Sequence, residues 1–226
     1  MKAMVLAAGL GTRLRPLTNT RPKALVEFRG QTLLEITLAR LKSFGIRDVI
    51  VNVHHFADLV IDYLKAHDDF GMHIEISHED VLLDTGGGLK KAGWFFGDDP
   101  DDAFILHNVD VISTIDLQRM VDFHHQMRPL ATLAVQHRKT SRYLLFDPAG
   151  RLCGKSPQPD AQFQSLGFAG IHVISPQLLS LLPAEEVFSI TNLYLDLGNR
   201  GEKILAFVAD EYSWKDMGRP ESFQPR

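Results

Sequence analysis

The chain has a single cysteine, Cys153, among 226 residues. An internal disulfide is therefore impossible, and a reducing compartment fits. No helix start or neighbouring base activates Cys153, which reads as a bystander. There is no excess of positive charge: the formal charge is −4, which argues against a broad nucleic-acid footprint. There is no apolar run of membrane-spanning length, and the stretch Met1 to Gly9 is too short for a signal-peptide core. A soluble cytoplasmic protein that engages neither membrane nor nucleic acid is expected. Internal repeats and low-complexity tracts are also missing, which sets solenoids and linkers aside.

With 45% hydrophobic residues, the chain can fill one sizeable α/β core. Ala3 to Ala7 has the pattern of a buried strand. Thr32, with Glu35 three residues on, predicts a capped helix whose apolar face is Leu34, Leu38, Leu41 and Phe44 and which ends at Gly45. Val49 to Val53 predicts a strand, Leu59 to Leu64 a helix, and His73 to Ser77 and Phe104 to Leu106 two more strands. This alternation predicts a Rossmann-like, three-layer sandwich with a mostly parallel central sheet.

Later segments read as strands at Leu130 to Gln136, Phe168 to Val173, Ile204 to Val208 and Tyr212 to Trp214. Tyr143 to Phe146 and Arg151 to Cys153 flank the turn sequence Asp147-Pro148-Ala149-Gly150, so a hairpin is expected. Ser175-Pro176 predicts a capped helix start, and Ser189 another that runs to about Arg200. No independent second domain is expected. Residues 1–226 read as one domain, in two halves at 1–110 and 111–226.

Directly after the first strand comes Leu6-Ala7-Ala8-Gly9-Leu10-Gly11-Thr12-Arg13-Leu14-Arg15-Pro16-Leu17-Thr18, followed by Pro22-Lys23. A glycine-rich loop here lies at the carboxyl edge of the sheet, where open α/β folds bind ligands. Small residues let backbone N–H groups approach phosphate oxygens, and Arg13 and Lys23 add a planar fork and a point charge. A dinucleotide fingerprint would need glycine where Leu14 stands, and a P-loop would need Gly-Lys-Ser/Thr. Neither fits, so a nicotinamide oxidoreductase is disfavoured.

The whole window resembles the hallmark of the sugar-1-phosphate nucleotidyltransferases, L-A-A-G-x-G-T-R-L/M-x-P-x-T with P-K beyond it. The resemblance implies an enzyme that joins an NTP to a sugar 1-phosphate, uses Mg²⁺ and releases pyrophosphate. By matching position, Arg13 and Lys23 act on the phosphates, and Ala7, Ala8, Gly9, Gly11 and Thr12 line the nucleotide. Asn108-Val109-Asp110 resembles the family's N-G-D with valine for glycine, and Trp214-Lys215-Asp216-Met217-Gly218 its W-x-D-x-G. Asp110 and Asp216 are thereby implied as ligands of one metal. Asp84, Asp98, Asp99, Asp101 and Asp102 read as loop charges.

Glu79 to Gly88 ends in Thr85-Gly86-Gly87-Gly88, ahead of a helix expected near Leu89. Three glycines there suit close backbone approach to a base. The family reads the base in this segment, so Thr85, Gly86 and Gly87 are candidates. Glu79, Asp80 and Asp84 stay available to accept from guanine. On the sugar side the candidates are Asn108, Lys155, Gly170 and Asn192. Gly154-Lys155 stands where many relatives have Glu-Lys, so the carboxylate that grips sugar hydroxyls is missing.

The triple glycine and the short chain resemble members that transfer UMP to N-acetylmuramate 1-phosphate, and UTP is the expected donor. Mannose- or heptose-1-phosphate guanylyl transfer is the alternative within the family, and phosphocholine is an alternative acceptor, which would need an aromatic cage. Trp94, Phe95, Phe96 and Trp214 are available for one, although Trp94 to Phe96 look rather like a helix end packing on the core. A non-catalytic sugar-nucleotide-binding regulator is a further alternative, although it would be expected to lose Arg13, Lys23 or an aspartate. His54-His55 and His124-His125 lack a third ligand at zinc spacing and read as surface or pocket-wall residues.

Overall fold

In the computed structural model, residues 1–97 and 102–223 are described. Asp98, Asp99 and Asp101 lie outside them. Strand β1 (Lys2–Leu6) is followed by a two-stranded hairpin, β2 (Glu27–Phe28) and β3 (Gln31–Thr32), and then by α1 (Leu33–Ser43). Next come β4 (Asp48–Val53), α2 (Ala57–Ala66), β5 (His73–His78), α3 (Asp84–Ala92) and β6 (Phe104–Asn108). The second half runs β7 (Val111–Ser113), α4 (Leu117–Met127), β8 (Ala131–Gln136), β9 (Tyr143–Phe146), β10 (Leu152–Ser156), β11 (Gln164–Ile174), α5 (Ile190–Asn199), β12 (Ile204–Val208) and β13 (Trp214–Asp216).

Among the described residues the large sheet has nine strands. β5, β4, β1 and β6 are neighbours in that order and all parallel. β11 then joins β6 antiparallel and β8 on its other edge, and β12 pairs parallel with β8. β1, β4 and β6 are buried along most of their length because helices cover both faces, as a parallel sheet requires, whereas the edge strand β5 alternates apolar Ile74 and Ile76 with His73 and Glu75. One core forms under α1, α2 and α4, and a second under α3 and α5. The β9–β10 hairpin turns at Asp147 to Gly150, where Gly150 has φ 75° and its N–H meets the Asp147 carbonyl at 2.9 Å.

Several local expectations change. Thr32 does cap α1, accepting from the Glu35 N–H. α3 begins at Asp84 and not near Leu89, so its three glycines are inside the helix. Pro176–Leu181 is a 3₁₀ helix whose Ser175 side chain makes no cap bond. Ser189 likewise makes none for α5. Instead Thr85 Oγ1 accepts from the Ile190 N–H at 3.0 Å, so the cap comes from 105 residues away. The last strand begins at Trp214, not Tyr212.

His124 is not a surface residue. It sits on the buried face of α4 with Nδ1 at 2.9 Å from Thr132 Oγ1, and burial lowers its pKa to about 4. Phe95 and Phe96 pack in the core, but Trp94 is exposed. No helix among the described residues is long and apolar enough to cross a membrane.

Candidate active site

The loop after β1 is wound tightly from within. Gly11 adopts φ 63°, and its carbonyl accepts from both the Leu14 N–H and Thr18 Oγ1 at 2.8 Å. Leu14 is wholly buried and Thr18 nearly so. These two anchors turn Thr12 and Arg13 outward on a 3₁₀ turn (Thr12–Leu14). A side chain on Gly11 would meet Thr18 at 2.9 Å, so glycine is required there for both space and conformation. Ala7 and Ala8 are buried, and the Ala7 N–H donates to Asn52 Oδ1 at 2.7 Å. Among the described residues, the N–H groups of Gly9, Leu10 and Gly11 make no protein hydrogen bond. Such a run of free donors is a ready anion cradle.

Asp110 ends the crossing from β6 to β7, and Asp216 ends β13. The short ladder between β7 and β13 sets Asp216 opposite Val111, while the Met217 N–H donates to the Asp110 carbonyl at 2.8 Å. The two carboxylates therefore come together from 106 residues apart in sequence. Gly218 shows how closely: a Cβ built on it would lie 2.8 Å from Asp216 Oδ1, 2.9 Å from Asp110 Oδ2 and 2.9 Å from an Arg13 guanidinium nitrogen. Lys23 Nζ donates to the same Asp110 Oδ2 at 2.8 Å. Lys23 also faces the loop after β1, with Nζ 3.9 Å from where a Gly9 side chain would begin. Two carboxylate oxygens facing one small cradle suit a magnesium ion, which takes one or two protein carboxylates and completes its shell with phosphate and water oxygens.

Asn108 and Gly170 also meet. Gly170 has φ 75° at the irregular step of β11, and a Cβ there would fall 2.9 Å from Asn108 Nδ2. Lys155 on β10 and Asn192 on α5 form a third pair, with Nζ donating to Oδ1 at 3.0 Å. Both are exposed, on the α5 side of the sheet.

Thr85, Gly86 and Gly87 are placed differently from expectation. The N–H groups of Gly86 and Gly87 donate to the Phe188 carbonyl at 2.9 and 3.2 Å. A Cβ on Gly86 would strike the Phe188 ring at 2.2 Å, and one on Gly87 the Glu186 carbonyl at 2.0 Å. These glycines admit the 186–188 segment onto α3, and their backbone donors are taken. Lys90 pins the same segment by donating to the carbonyls of Pro183, Ala184 and Glu185.

Glu79 is buried beneath this helix. Its Oε1 accepts from Asn52 Nδ2 at 2.6 Å and its Oε2 from the Leu83 N–H at 3.0 Å. Asp80 is exposed and pairs with His78 and Lys91, and Asp84 Oδ1 accepts from the Thr85 N–H.

Some residues near the site carried no sequence signal. Asn52 links β4 to the first loop and to Glu79, and nothing in its neighbours in the chain marks it. Arg138 stacks over Trp214 with its guanidinium 4.0 Å from the ring centroid, and donates to the Phe168 carbonyl at 2.6 Å. Burial lowers its pKa, while the nearby Asp216 carboxylate pulls it up. The Trp214 indole N–H donates to the Ala169 carbonyl at 2.8 Å, so β13 is tied to β11 beside Gly170. Beneath the site, burial lowers the pKa of His107 to about 4 and of His172 to about 3, so both are neutral near pH 7. His172 Nδ1 meets the Tyr194 hydroxyl at 2.8 Å.

The parallel half-sheet, the bare backbone donors at its carboxyl edge and the paired aspartates fit a nucleotide-binding α/β fold. Comparison with known proteins agrees. The nucleotidyl transferase family model matches residues 2–225, and the chain belongs to that family of sugar-1-phosphate nucleotidyltransferases. It is 36% identical to an N-acetylmuramate alpha-1-phosphate uridylyltransferase of Caulobacter vibrioides, over 97% of this chain and 93% of that one. It is 30% identical to the catalytic subunit beta of a mannose-1-phosphate guanylyltransferase of Danio rerio, over 99% of this chain but only 62% of that relative's length. The structure of HddC from Yersinia pseudotuberculosis, complexed with GMP-PN, superposes with a TM-score of 0.79 at 21% identity, covering 98% of this chain and 96% of that one. At that identity the likeness concerns the fold.

Proposed function

We propose that the chain transfers UMP from UTP to a sugar 1-phosphate, with N-acetylmuramate 1-phosphate the favoured acceptor. The observation that carries this reading is the convergence of Asp110 Oδ2, Asp216 Oδ1 and Arg13 around Gly218, with Lys23 on Asp110 and, alongside, the N–H groups of Gly9 to Gly11 that make no protein bond among the described residues. A phosphate oxygen of the sugar 1-phosphate attacks the α-phosphorus in line, and pyrophosphate leaves. No enzyme nucleophile is needed, so the protein's work is positioning and charge stabilisation.

The backbone cradle and Thr12 hold the triphosphate. Arg13 and Lys23 take up the charge that grows on the departing pyrophosphate. Asp110 and Asp216 would hold Mg²⁺, which would supply charge neutralisation for phosphate oxygens when bound. Lys155 and Asn192 present a cation and an amide to the acceptor, and Asn108 beside Gly170 presents a second amide. On this reading residues 1–110 carry the nucleotide side and 111–226 the sugar side of one domain, and the substrates place the enzyme in the cytoplasm.

The preference for UTP is supported by how the nearby carboxylates are used. A guanine site would want a carboxylate to accept from N1 and N2. Glu79 is buried with both oxygens engaged, Asp80 is paired outward, and Asp84 is folded onto Thr85. The identity to the Caulobacter uridylyltransferase points the same way. A matrix of four NTPs against several sugar 1-phosphates, scored by pyrophosphate release with Mg²⁺, tests this. UTP with N-acetylmuramate 1-phosphate is expected to turn over fastest. Faster turnover with GTP across the sugars would overturn the uridylyl assignment, and no turnover with any pair would favour a binding protein.

A further inference from the structure

We infer that Lys23 competes with the metal for Asp110, so that the enzyme takes up its divalent cation with the nucleotide and binds it poorly alone. The inference rests on the metal-site reading above. Asp110 Oδ2 is the oxygen that faces Asp216 Oδ1 across the Gly218 cradle, and it is also the oxygen to which Lys23 Nζ donates at 2.8 Å. One carboxylate oxygen thus serves both the ammonium and the candidate metal position. The pair is largely withdrawn from solvent, with side-chain exposures of 16% for Lys23 and 11% for Asp110. Water screens such a pair weakly, so it resists displacement more than a surface ion pair does.

The local charge count gives the same answer. Asp110 and Asp216 contribute two negative charges, and Lys23, Arg13 and the nearby Arg138 three positive ones. Without substrate this group is already slightly positive. A divalent ion entering alone would have to displace the ammonium and would leave three uncompensated positive charges in a half-buried site. A divalent ion entering with a triphosphate brings negative charge for both Lys23 and Arg13. Lys23 is placed for that exchange: its Nζ lies between Asp110 and the loop at Gly9. A modest side-chain rotation moves it from carboxylate to phosphate. Lysine suits this role because its point charge rides on a flexible stem, whereas arginine's planar fork fixes geometry. Binding of metal and of nucleotide are then positively coupled, and the coupling is reciprocal.

The test measures Mn²⁺ bound to the whole protein, by electron paramagnetic resonance of the free ion, with and without a non-hydrolysable UTP analogue. Wild type should bind Mn²⁺ weakly alone and at least about tenfold more tightly with the analogue. Lys23→Met should tighten Mn²⁺ binding to the nucleotide-free protein by about tenfold, and should shrink the gain from the analogue. Lys23→Gln provides a second uncharged variant should Lys23→Met fold poorly. Lys23→Arg keeps the charge and should bind Mn²⁺ as weakly as wild type in the nucleotide-free protein. In an Asp110→Asn background, Lys23→Met should add nothing.

Equal Mn²⁺ binding by nucleotide-free wild type and both uncharged variants, with Asp110→Asn still weakening it, would overturn the competition and leave the metal site standing. Mn²⁺ binding untouched by Asp110→Asn, with and without the analogue, would overturn the metal site and the competition with it.

Discussion

Two glycine-rich segments flank the site, and their glycines do opposite things. In the loop after β1, the N–H groups from Gly9 to Gly11 make no protein bond among the described residues, and a side chain on Gly9 would meet only Lys23 Nζ, at 3.9 Å. In α3, the N–H groups of Gly86 and Gly87 are taken by the Phe188 carbonyl, and a side chain on either would collide with the 186–188 segment. The first segment keeps its backbone bare for a ligand. The second keeps it bare for another part of the same chain. The lesson is that missing side chains say only that something approaches closely, and the partner has to be found in the fold.

The largest effects should come from the carboxylates that the first segment faces. Asp110→Asn and Asp216→Asn should each lower turnover by more than about a hundredfold, a loss of roughly 3 kcal/mol or more of transition-state stabilisation. The fold should survive, since an amide keeps the shape. Steady-state kinetics at saturating Mg²⁺, with circular dichroism as the control for folding, check this. Near-normal turnover in either variant would remove that residue from the site. Gly218→Ala belongs with them, because the added methyl falls within 2.9 Å of Asp110, Asp216 and Arg13 together.

The sharpest test of the contrast compares one added methyl in each segment. Gly87→Ala places Cβ 2.0 Å from the backbone carbonyl of Glu186, which cannot rotate away. Overpacking of this kind costs about 1–3 kcal/mol, so the melting temperature should fall by several degrees. Gly9→Ala has room in the free protein and should leave the melting temperature nearly unchanged. It should instead weaken nucleotide binding, because the methyl narrows the cradle. Thermal melts together with nucleotide titrations of both variants decide the matter. If Gly9→Ala unfolded the protein and Gly87→Ala bound nucleotide poorly at full stability, the assignments of the two segments would be reversed.

Arg13→Ala should follow, with turnover reduced more than the Michaelis constant for the sugar phosphate is raised. Arg13 is exposed, and its expected role lies with the charge that develops on the leaving pyrophosphate. Unchanged turnover would make the loop a binding turn only.

These contrasts also show what the sequence could and could not disclose. The parallel half of the sheet was legible because buried strands and a capped helix leave local signatures: Val49 to Val53 and Thr32 with Glu35 each declare themselves within a few residues. The first loop was legible because Gly11, Arg13 and Lys23 fall within one short window. Asp110 and Asp216 were paired through family resemblance, and only the β7–β13 ladder shows how they meet. The helix start at Asp84 was hidden because glycine is a poor helix former. Tertiary contact with Phe188 outweighs that local preference here. Sequence alone points to Ser189, next to the helix, as the cap of α5, but the bond comes from Thr85, far off in the chain. Helix α4, Asn52 and Arg138 passed unmarked, since their importance lies in partners distant in sequence.

The smallest expected effect concerns Thr85, where the two halves of the site are joined. Its Oγ1 satisfies the first N–H of α5, and α5 carries Asn192, which holds Lys155. Thr85→Val keeps the shape and removes the acceptor. Losing a cap bond of this kind costs about 1 kcal/mol, so a small drop in melting temperature is expected. The more telling readout is kinetic. If Thr85 touched the base, Thr85→Val would raise the Michaelis constant for the NTP. Because its oxygen is committed to α5, the constant for the sugar 1-phosphate should rise instead, by a few-fold, as the first turn of α5 loosens and Asn192 with it. Thr85→Ser keeps the hydroxyl and should restore the wild-type value. A rise confined to the NTP constant, unrelieved by serine, would return Thr85 to the base-reading site and erase the contrast between the two glycine segments.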